Sequence, residues 1–383
     1  MTNVTSEWTT MIGSAGEDRA QAIATDAAGV SYVTGYQVSE GEEETTPRRL
    51  AWVASYDAQG ALRWRQGIES DHDLEPRAIA LDPGGLIYLA GTAYARDPEA
   101  TNAPTAETWL AQLDTQGTVQ WFLFLSSIHP QQPSSLTLDP RGDLYLTGFI
   151  TPSGQPGEAW LGKYAPNGDR LWWTSLGQHH DTATTRVVIG EDPTARTKFA
   201  KITVYVAGNT LMPIADRADA HDSWLARYSS EGIQRWIVPI GDAIASPCAT
   251  LQVNHENHVF LAGTTTQSLT ADPLAEHALW FAQYAPDGTP VALQQWADVG
   301  CLATFVAEGD RSYLLGSSTD TTAWLSEVTP TGRNLAPVSL GTNGQFCMDA
   351  TLASPAQLYA IGYTAIAEQP HQAWIKGVTL AHD

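Results

Sequence analysis

Two kinds of apolar segment alternate along the chain. In residues 22–36 an apolar run meets the turn Asp26-Ala27-Ala28-Gly29 and then resumes, and in residues 51–68 another run does the same around Asp57-Ala58-Gln59-Gly60. Short apolar runs joined by such turns predict β-hairpins, because Asp accepts hydrogen bonds from its own turn backbone and Gly adopts a positive φ. One repeat therefore contributes two hairpins, or four strands.

Two marker residues recur seven times each. One is the glycine near the end of each second strand: Gly35, Gly91, Gly148, Gly208, Gly263, Gly316 and Gly362. The other is the tryptophan of each third strand: Trp52, Trp109, Trp160, Trp224, Trp280, Trp324 and Trp374. Repeats of about 40–55 residues with four strands are typical of β-propeller blades. The sequence predicts an all-β, seven-bladed β-propeller.

The repeats also predict how the fold closes. We expect residues 1–383 to form one propeller domain, with successive units at 19–68, 76–125, 133–177, 184–241, 248–297, 301–341 and 347–380. The last unit lacks a fourth strand, whereas residues 7–13 have a fourth-strand pattern and no hairpin partner. This N-terminal strand is predicted to complete the last blade, which would remove open sheet edges.

The marker tryptophans, and a second set at Trp64, Trp121, Trp172 and Trp236, suit a blade-to-blade core. Both faces of a blade pack on neighbouring blades, so large apolar residues are expected on both faces. An aromatic binding platform is the alternative interpretation.

The repeat resembles the bacterial seven-bladed propeller repeat, often abbreviated SBBP. The resemblance lies in the turn residues of the first three units, Asp26, Asp82 and Asp139 with Gly29, Gly85 and Gly142, and in the following Trp-containing hairpin. Residues 254–257 and 354–357 depart from that turn, and the fourth unit has an insertion near residues 190–201. The resemblance implies a propeller but no particular activity.

Composition narrows the choice of partner and location. The net charge of -22 would repel nucleic acid, and no apolar run is long enough for direct membrane insertion. The N-terminus shows no basic and apolar leader, so a cytoplasmic location is the default expectation. The three cysteines, an odd count, argue against a disulfide scaffold.

The cysteines are candidate metal ligands. Cys248, Cys301 and Cys347 occupy equivalent positions in three consecutive units, each at the start of the first strand. A metal would require their sulfur atoms to converge. Adjacent first strands hold equivalent atoms too far apart, so we expect small buried residues like Ala20, Pro76 and Pro133, and no cofactor.

Histidines and acidic residues form the remaining candidates. His179, His180 and Asp181 follow a fourth strand, and His255, Glu256 and His258 replace a turn that other units share. Such side chains could bind zinc or transfer protons. Acidic groups at residues 40–44, at residues 71–73, and at Asp216, Asp219 and Asp222 could attract calcium. We expect all of these to be solvated loops and turns.

The chain contains none of the common nucleophile, phosphate-loop or metalloprotease motifs. The leading hypothesis is therefore a non-enzymatic scaffold that presents loops to a protein partner, either alone or as a subunit of a larger assembly. The alternative is a ligand-binding propeller, for carbohydrate or metal, or a hydrolytic one, with its site at one rim. Carbohydrate is the preferred ligand of that alternative because of the aromatic residues expected at the rim.

Overall fold

The structure is a computed structural model. It describes residues 2–13, 17–39, 47–96, 106–125, 127, 129, 131–151, 157–178, 186–192, 201–210, 222–240, 248–254, 256–265, 278–297, 300–308, 311–318, 322–328, 337–341, 344–354, 356–365 and 370–382. Within these ranges the regular structure is all β.

Strands follow one another along the chain in sets of four after a first, separate strand. They are β1 (Thr2–Ile12), β2 (Glu17–Thr25), β3 (Ser31–Ser39), β4 (Arg48–Tyr56), β5 (Leu62–Gly67), β6 (Asp73–Leu81), β7 (Ile87–Tyr94), β8 (Ala106–Leu113), β9 (Val119–Leu125), β10 (Gln131–Leu138), β11 (Leu144–Ile150), β12 (Glu158–Tyr164), β13 (Arg170–Gln178), β14 (Arg186–Glu191), β15 (Ile202–Thr210), β16 (Asp222–Ser229), β17 (Gln234–Ile240), β18 (Cys248–Val253), β19 (Val259–Thr265), β20 (Ala278–Tyr284), β21 (Pro290–Ala297), β22 (Cys301–Glu308), β23 (Arg311–Ser317), β24 (Ala323–Val328), β25 (Val338–Ser339), β26 (Gln345–Ser354), β27 (Gln357–Thr364) and β28 (Gln372–His382).

Among the described residues these strands form seven four-stranded antiparallel sheets, which confirms the predicted seven-bladed β-propeller. Six sheets are simple meanders, beginning with β2-β3-β4-β5, and the seventh has the order β26-β27-β28-β1. β1 pairs with β28 from Thr2 opposite His382 to Ile12 opposite Ala373, with a bulge between Ser6 and Trp8. The closing strand is thus as predicted, but it is longer than residues 7–13.

The chain divides into two compact units. Unit one comprises Met1–Pro133, Leu315–Leu325 and Pro337–Asp383, and unit two comprises Ser134–Leu314 and Ser326–Ala336. Unit one contains the blade closed by β1 and the first two blades along the chain, β2–β5 and β6–β9. The extent of the propeller domain and the seven repeat boundaries stay predictions.

The marker tryptophans lie in the core, as predicted. All seven are buried, from Trp109 at 0% exposure to Trp324 at 4%. In unit one, Trp109 shares a cluster with Val53 and Tyr32 of the preceding blade. The tryptophans therefore fill the space between sheets, where burying a large ring contributes a few kcal/mol, about 25 cal/mol for each Å² removed from water.

The hairpin turns owe their shape to the predicted Asp and Gly residues. Asp26 Oδ1 accepts hydrogen bonds from the amides of Ala28 and Val30, both at 2.9 Å, and Gly29 has φ 79°. Asn254 replaces the aspartate in the fifth repeat and accepts from the amides of Glu256 and His258 at 3.1 and 2.9 Å. The amide oxygen thus substitutes for the carboxylate, which explains why the departing sequence keeps the turn.

No helix in the described part of the chain is long and apolar enough to cross a membrane.

Candidate functional site

The cysteines occupy a shared structural position. Cys248 pairs with Gly263 and Cys347 with Gly362, as Ala20 pairs with Gly35 and Pro76 with Gly91. Cys347 is buried, and burial, with Asp349 nearby, raises the pKa of its thiol. Cys301 is exposed. No group of three His, Cys, Asp or Glu side chains within the described ranges could hold a metal ion.

The other sequence candidates do not converge on one site. His179, His180 and Asp181 lie outside the described residues, as do His255, residues 40–46, Asp216 and Asp219. His258 Nδ1 lies 3.3 Å from Glu256 Oε2 within a partly exposed turn. Asp222 begins β16. Asp73 belongs to a different group of residues, described next.

Polar and aromatic side chains gather at one end of the blades of unit one. We call this the opening end, where the first strand of a blade begins, the second ends, the third begins and the fourth ends. Arg49 lies there, near the start of β4, with its guanidinium 5.8 Å from the ring centroid of Tyr36 and 5.7 Å from that of Tyr94. Its Nη1 atom is 3.8 Å from Glu75 Oε2. We call Arg49, Tyr36, Tyr94 and Glu75 the Arg49 cluster.

The Arg49 cluster joins the first two blades of unit one. Asp73 Oδ1 accepts a hydrogen bond from the backbone amide of Arg49 at 3.4 Å and lies 3.5 Å from Arg96 Nε. Glu75, which is nearly buried, also pairs with Arg77 at 3.0 Å. The carboxylates thus fix Arg77 and Arg96 by ion pairing and hold the backbone of Arg49, whose guanidinium is oriented by the two tyrosine rings.

A second group of side chains, the Arg19 cluster, lies at the opening end between the closed blade and the first blade. Arg19 donates through Nε to Glu17 Oε1 at 2.7 Å, and its Nη2 atom is 3.0 Å from His371 Nδ1. Its guanidinium is 5.3 Å from the Tyr363 ring centroid, and Tyr363 stacks on Phe346 at 5.3 Å. The backbone brings these strands together, since the Asp18 amide donates to the His371 carbonyl at 2.7 Å.

Tyr36 connects the two clusters. It is buried, and it pairs with Arg19 in the register of β2 and β3. Burial raises the pKa of the Tyr36 hydroxyl, Arg19 and Arg49 act to lower it, and Glu75 and Glu17 act to raise it. The hydroxyl is therefore neutral at physiological pH, and it lies within the electrostatic reach of both arginines.

A row of aromatic rings, which we call the aromatic ladder, lies at the opening end of the second blade. Trp109 stacks on Phe122 with their ring centroids 5.5 Å apart. Phe122 packs edge-on against Phe124 at a centroid distance of 5.2 Å, and the rings of Phe124 and His72 lie 4.8 Å apart. The ladder starts with a fully buried ring and ends with Phe124, which is 36% exposed. Packing beneath it holds the outermost rings in a fixed orientation, so they offer a preformed flat surface.

Together these groups can recognise a ligand that is both flat-faced and polar. Aromatic rings accept apolar faces by stacking, while arginines supply several N–H donors in a planar fork. Pre-formed surfaces of this kind, with a few convergent polar groups, are characteristic of ligand sites.

The sequence did not single out this site. The predicted hairpins began at residues 22 and 51, whereas β2 begins at Glu17 and β4 at Arg48. The strand extensions carry Arg19 and Arg49, which lie outside the repeated core of the pattern. The available signal was Tyr36, one residue after a marker glycine, together with the pair Arg48-Arg49.

No protein-family model matches the sequence. The search of curated proteins likewise found no match.

Solved structures do resemble the chain over almost its whole length. The polysaccharide lyase Uly1 has TM-score 0.58 and 11% identity, covering 98% of this chain and 100% of its own. A polysaccharide lyase of family PL25, an ulvan lyase bound to -[GlcA(1-4)Rha3S]-, has TM-score 0.56 and 12% identity, covering 95% of both chains. The lectin BP39L from Burkholderia pseudomallei has TM-score 0.54 and 11% identity, covering 92% of this chain and 94% of its own. At such identities the likeness shows the propeller fold.

These comparisons correct the leading functional hypothesis. The chain was predicted to be a non-enzymatic scaffold for protein–protein interaction, but its structural neighbours include two polysaccharide lyases and a lectin. They favour the carbohydrate-related alternative instead. Absent motifs misled the prediction because a propeller assembles a site from side chains on separate blades, which leaves no local signature.

Proposed function

We propose that the protein binds carbohydrate at the opening end of unit one. The observation that carries this proposal is the aromatic ladder, which ends at Phe124 and His72, together with Asp73, the next residue, which accepts from the Arg49 amide. The apolar face of a sugar ring stacks on an aromatic ring, and its hydroxyls need nearby planar polar groups. The likeness to two polysaccharide lyases and a lectin supports the same ligand class.

A second proposal concerns the type of the repeats. We infer that the repeats are of the bacterial seven-bladed SBBP type. The support is the recurring Asp-to-Gly turn, seen with Asp26 and Gly29 and again with Asp82 and Gly85.

The test of carbohydrate binding compares two exposed apolar side chains at opposite ends of their strands. Phe124 lies near the end of β9, at the opening end, and Leu62 begins β5 at the other end, with 55% exposure. A panel of neutral and acidic hexasaccharides is titrated against the full-length protein and against Phe124→Ala and Leu62→Ala. Melting temperatures of all three proteins establish that each is folded.

We expect Phe124→Ala to weaken binding about two- to twelvefold, since one aromatic contact contributes about 0.5–1.5 kcal/mol. Leu62→Ala should bind as the parent protein does. Binding that is absent from the whole panel contradicts the proposal, as does equal loss in both variants.

A further inference from the structure

Tyrosine rings hold the guanidinium of Arg49 in place, and its N–H groups have few partners among the residues that the structure describes. Tyr36 and Tyr94 lie against it, and the Glu75 carboxylate is 3.8 Å away, which is longer than a hydrogen bond. Among the described residues it makes no side-chain hydrogen bond, although a guanidinium has five N–H donors. The Arg49 side chain is 45% exposed, so these donors are accessible from solvent.

The exposed positive charge of Arg49 is important because the protein as a whole is acidic. The protein has 20 Lys and Arg residues against 42 Asp and Glu, so its overall field repels anions. An acidic ligand would bind only where local cations outweigh that field. Arg49 offers an exposed cation whose Glu75 partner lies 3.8 Å away, and Arg19, which is paired with Glu17, is close enough to act on the pKa of the Tyr36 hydroxyl.

We propose that the carbohydrate bound at the opening end is acidic, and that Arg49 binds its carboxylate or sulfate group while Tyr36 and Tyr94 orient the guanidinium. This inference rests on the proposed carbohydrate binding and narrows the substrate class. Arginine suits the role because its planar fork forms two parallel hydrogen bonds to a carboxylate or sulfate, and because it stacks on aromatic rings. Arg19, already bonded to Glu17, supplies a second positive charge for a ligand with more than one acidic group.

The test uses three hexasaccharides that differ only in the group at C6 of each sugar. They are a β-1,4-linked glucose hexamer, the same hexamer with its primary alcohols oxidised to carboxylates, and the same hexamer with those alcohols sulfated. Affinities are measured by calorimetry for the parent protein, Arg49→Gln, Arg49→Lys and the control Arg235→Gln. Arg235 is exposed on β17 in unit two, so its loss changes the net charge equally without altering the Arg49 cluster.

At least one acidic hexamer should bind the parent protein tenfold or more tightly than the neutral hexamer, and the tighter of the two identifies carboxylate or sulfate as the recognised group. Arg49→Gln should remove that preference, because it weakens the binding of the acidic hexamer far more than the binding of the neutral hexamer. Arg49→Lys should restore only part of it, because lysine keeps the charge but not the fork. Arg235→Gln should retain the full preference, and added salt should weaken acidic binding alone.

Equal affinity for neutral and acidic hexamers, or equal losses in Arg49→Gln and Arg235→Gln, would overturn the acidic specificity and leave carbohydrate binding standing. No binding by any of the three hexamers would contradict both proposals.

Discussion

The indole Nε1 of Trp64 donates a hydrogen bond at 3.0 Å to the carbonyl oxygen of Thr115, in the second-hairpin turn of the next blade. A Cβ placed on Gly117 in that turn would lie 2.8 Å from the Trp64 ring, so the glycine gives the ring its space. Trp172 donates in the same way to the Ser230 carbonyl, also at 3.0 Å. The fourth strand of one blade thus docks on a turn of its neighbour within each unit.

Gly117→Ala should destabilise the protein by about 1–3 kcal/mol. The residue has φ 84°, which disfavours any side chain, and the added methyl group would collide with Trp64. Gly67→Ala is the matched control, since a Cβ there meets only the Ala51 carbonyl oxygen at 4.0 Å. Urea unfolding of both variants checks the difference, and equal midpoints would refute the docking argument.

The blades could be predicted from sequence because their signals are local. A turn needs an Asp or Asn acceptor and a residue that tolerates positive φ within four positions, and Asp26 with Gly29 shows both. The buried marker tryptophans follow from strand periodicity in the same way. Closure by β1 was also predictable, since one strand and one incomplete blade remained to be paired.

The candidate site could not be predicted because its contacts join residues far apart in sequence. Arg19 contacts His371, and Arg49 contacts Tyr94, and in each pair the two residues lie at strand ends of different blades. Nothing in the chain near Arg49 indicates that two tyrosine rings will hold it. Of the histidine and acidic runs noted in the sequence, the described residues that contribute to this region are Asp73 and His72.

Removing residues 1–14 should destabilise the protein and cause aggregation. β1 pairs with β28 along ten registered positions, so its deletion exposes the edge of β28. Size-exclusion chromatography and thermal unfolding give the readout. A synthetic peptide of residues 1–14, added during refolding, should restore the monodisperse species, whereas a peptide of scrambled order should not. A truncated protein as heat-stable as the parent would contradict the closure.

Lys163→Met should cost about 1.5–3 kcal/mol of folding stability, because it removes the charged donor to Asp143 and one of the two cations beside the buried Asp139, the other being Arg141 Nη2 at 3.5 Å. Lys163 Nζ lies 2.8 Å from Asp143 Oδ2 and 3.6 Å from the buried Asp139 Oδ2. Adding Asp139→Asn should recover part of the loss, since Asn keeps the Oδ1 that accepts from the Arg141 amide at 2.8 Å. Lys201→Met, at an exposed turn, is the control. Purely additive losses in the double variant would show that the charges are not coupled.

The protein should lose stability between pH 10 and pH 12. Burial raises the pKa of Tyr228 from 10.0 to about 12, and Tyr56, Tyr205 and Tyr284 are raised to about 12 chiefly for the same reason. Over that range the unfolded chain ionises its tyrosines while the folded protein retains the protons. The stabilisation is therefore complete below pH 10 and is lost as the pH rises toward the folded pKa.

The variant Tyr228→Phe measures how much of this loss of stability comes from the ionisation of one tyrosine. At neutral pH the variant should be about 1 kcal/mol less stable, because the Tyr228 hydroxyl donates to Gln234 Oε1 at 3.1 Å. As the pH rises from 10 to 12 the parent loses up to about 1.4 kcal/mol per pH unit through this group, and the variant does not. Urea unfolding at each pH should therefore show the two proteins converging in stability and then crossing. A constant difference across that range would mean that Tyr228 ionises equally in the folded and unfolded states.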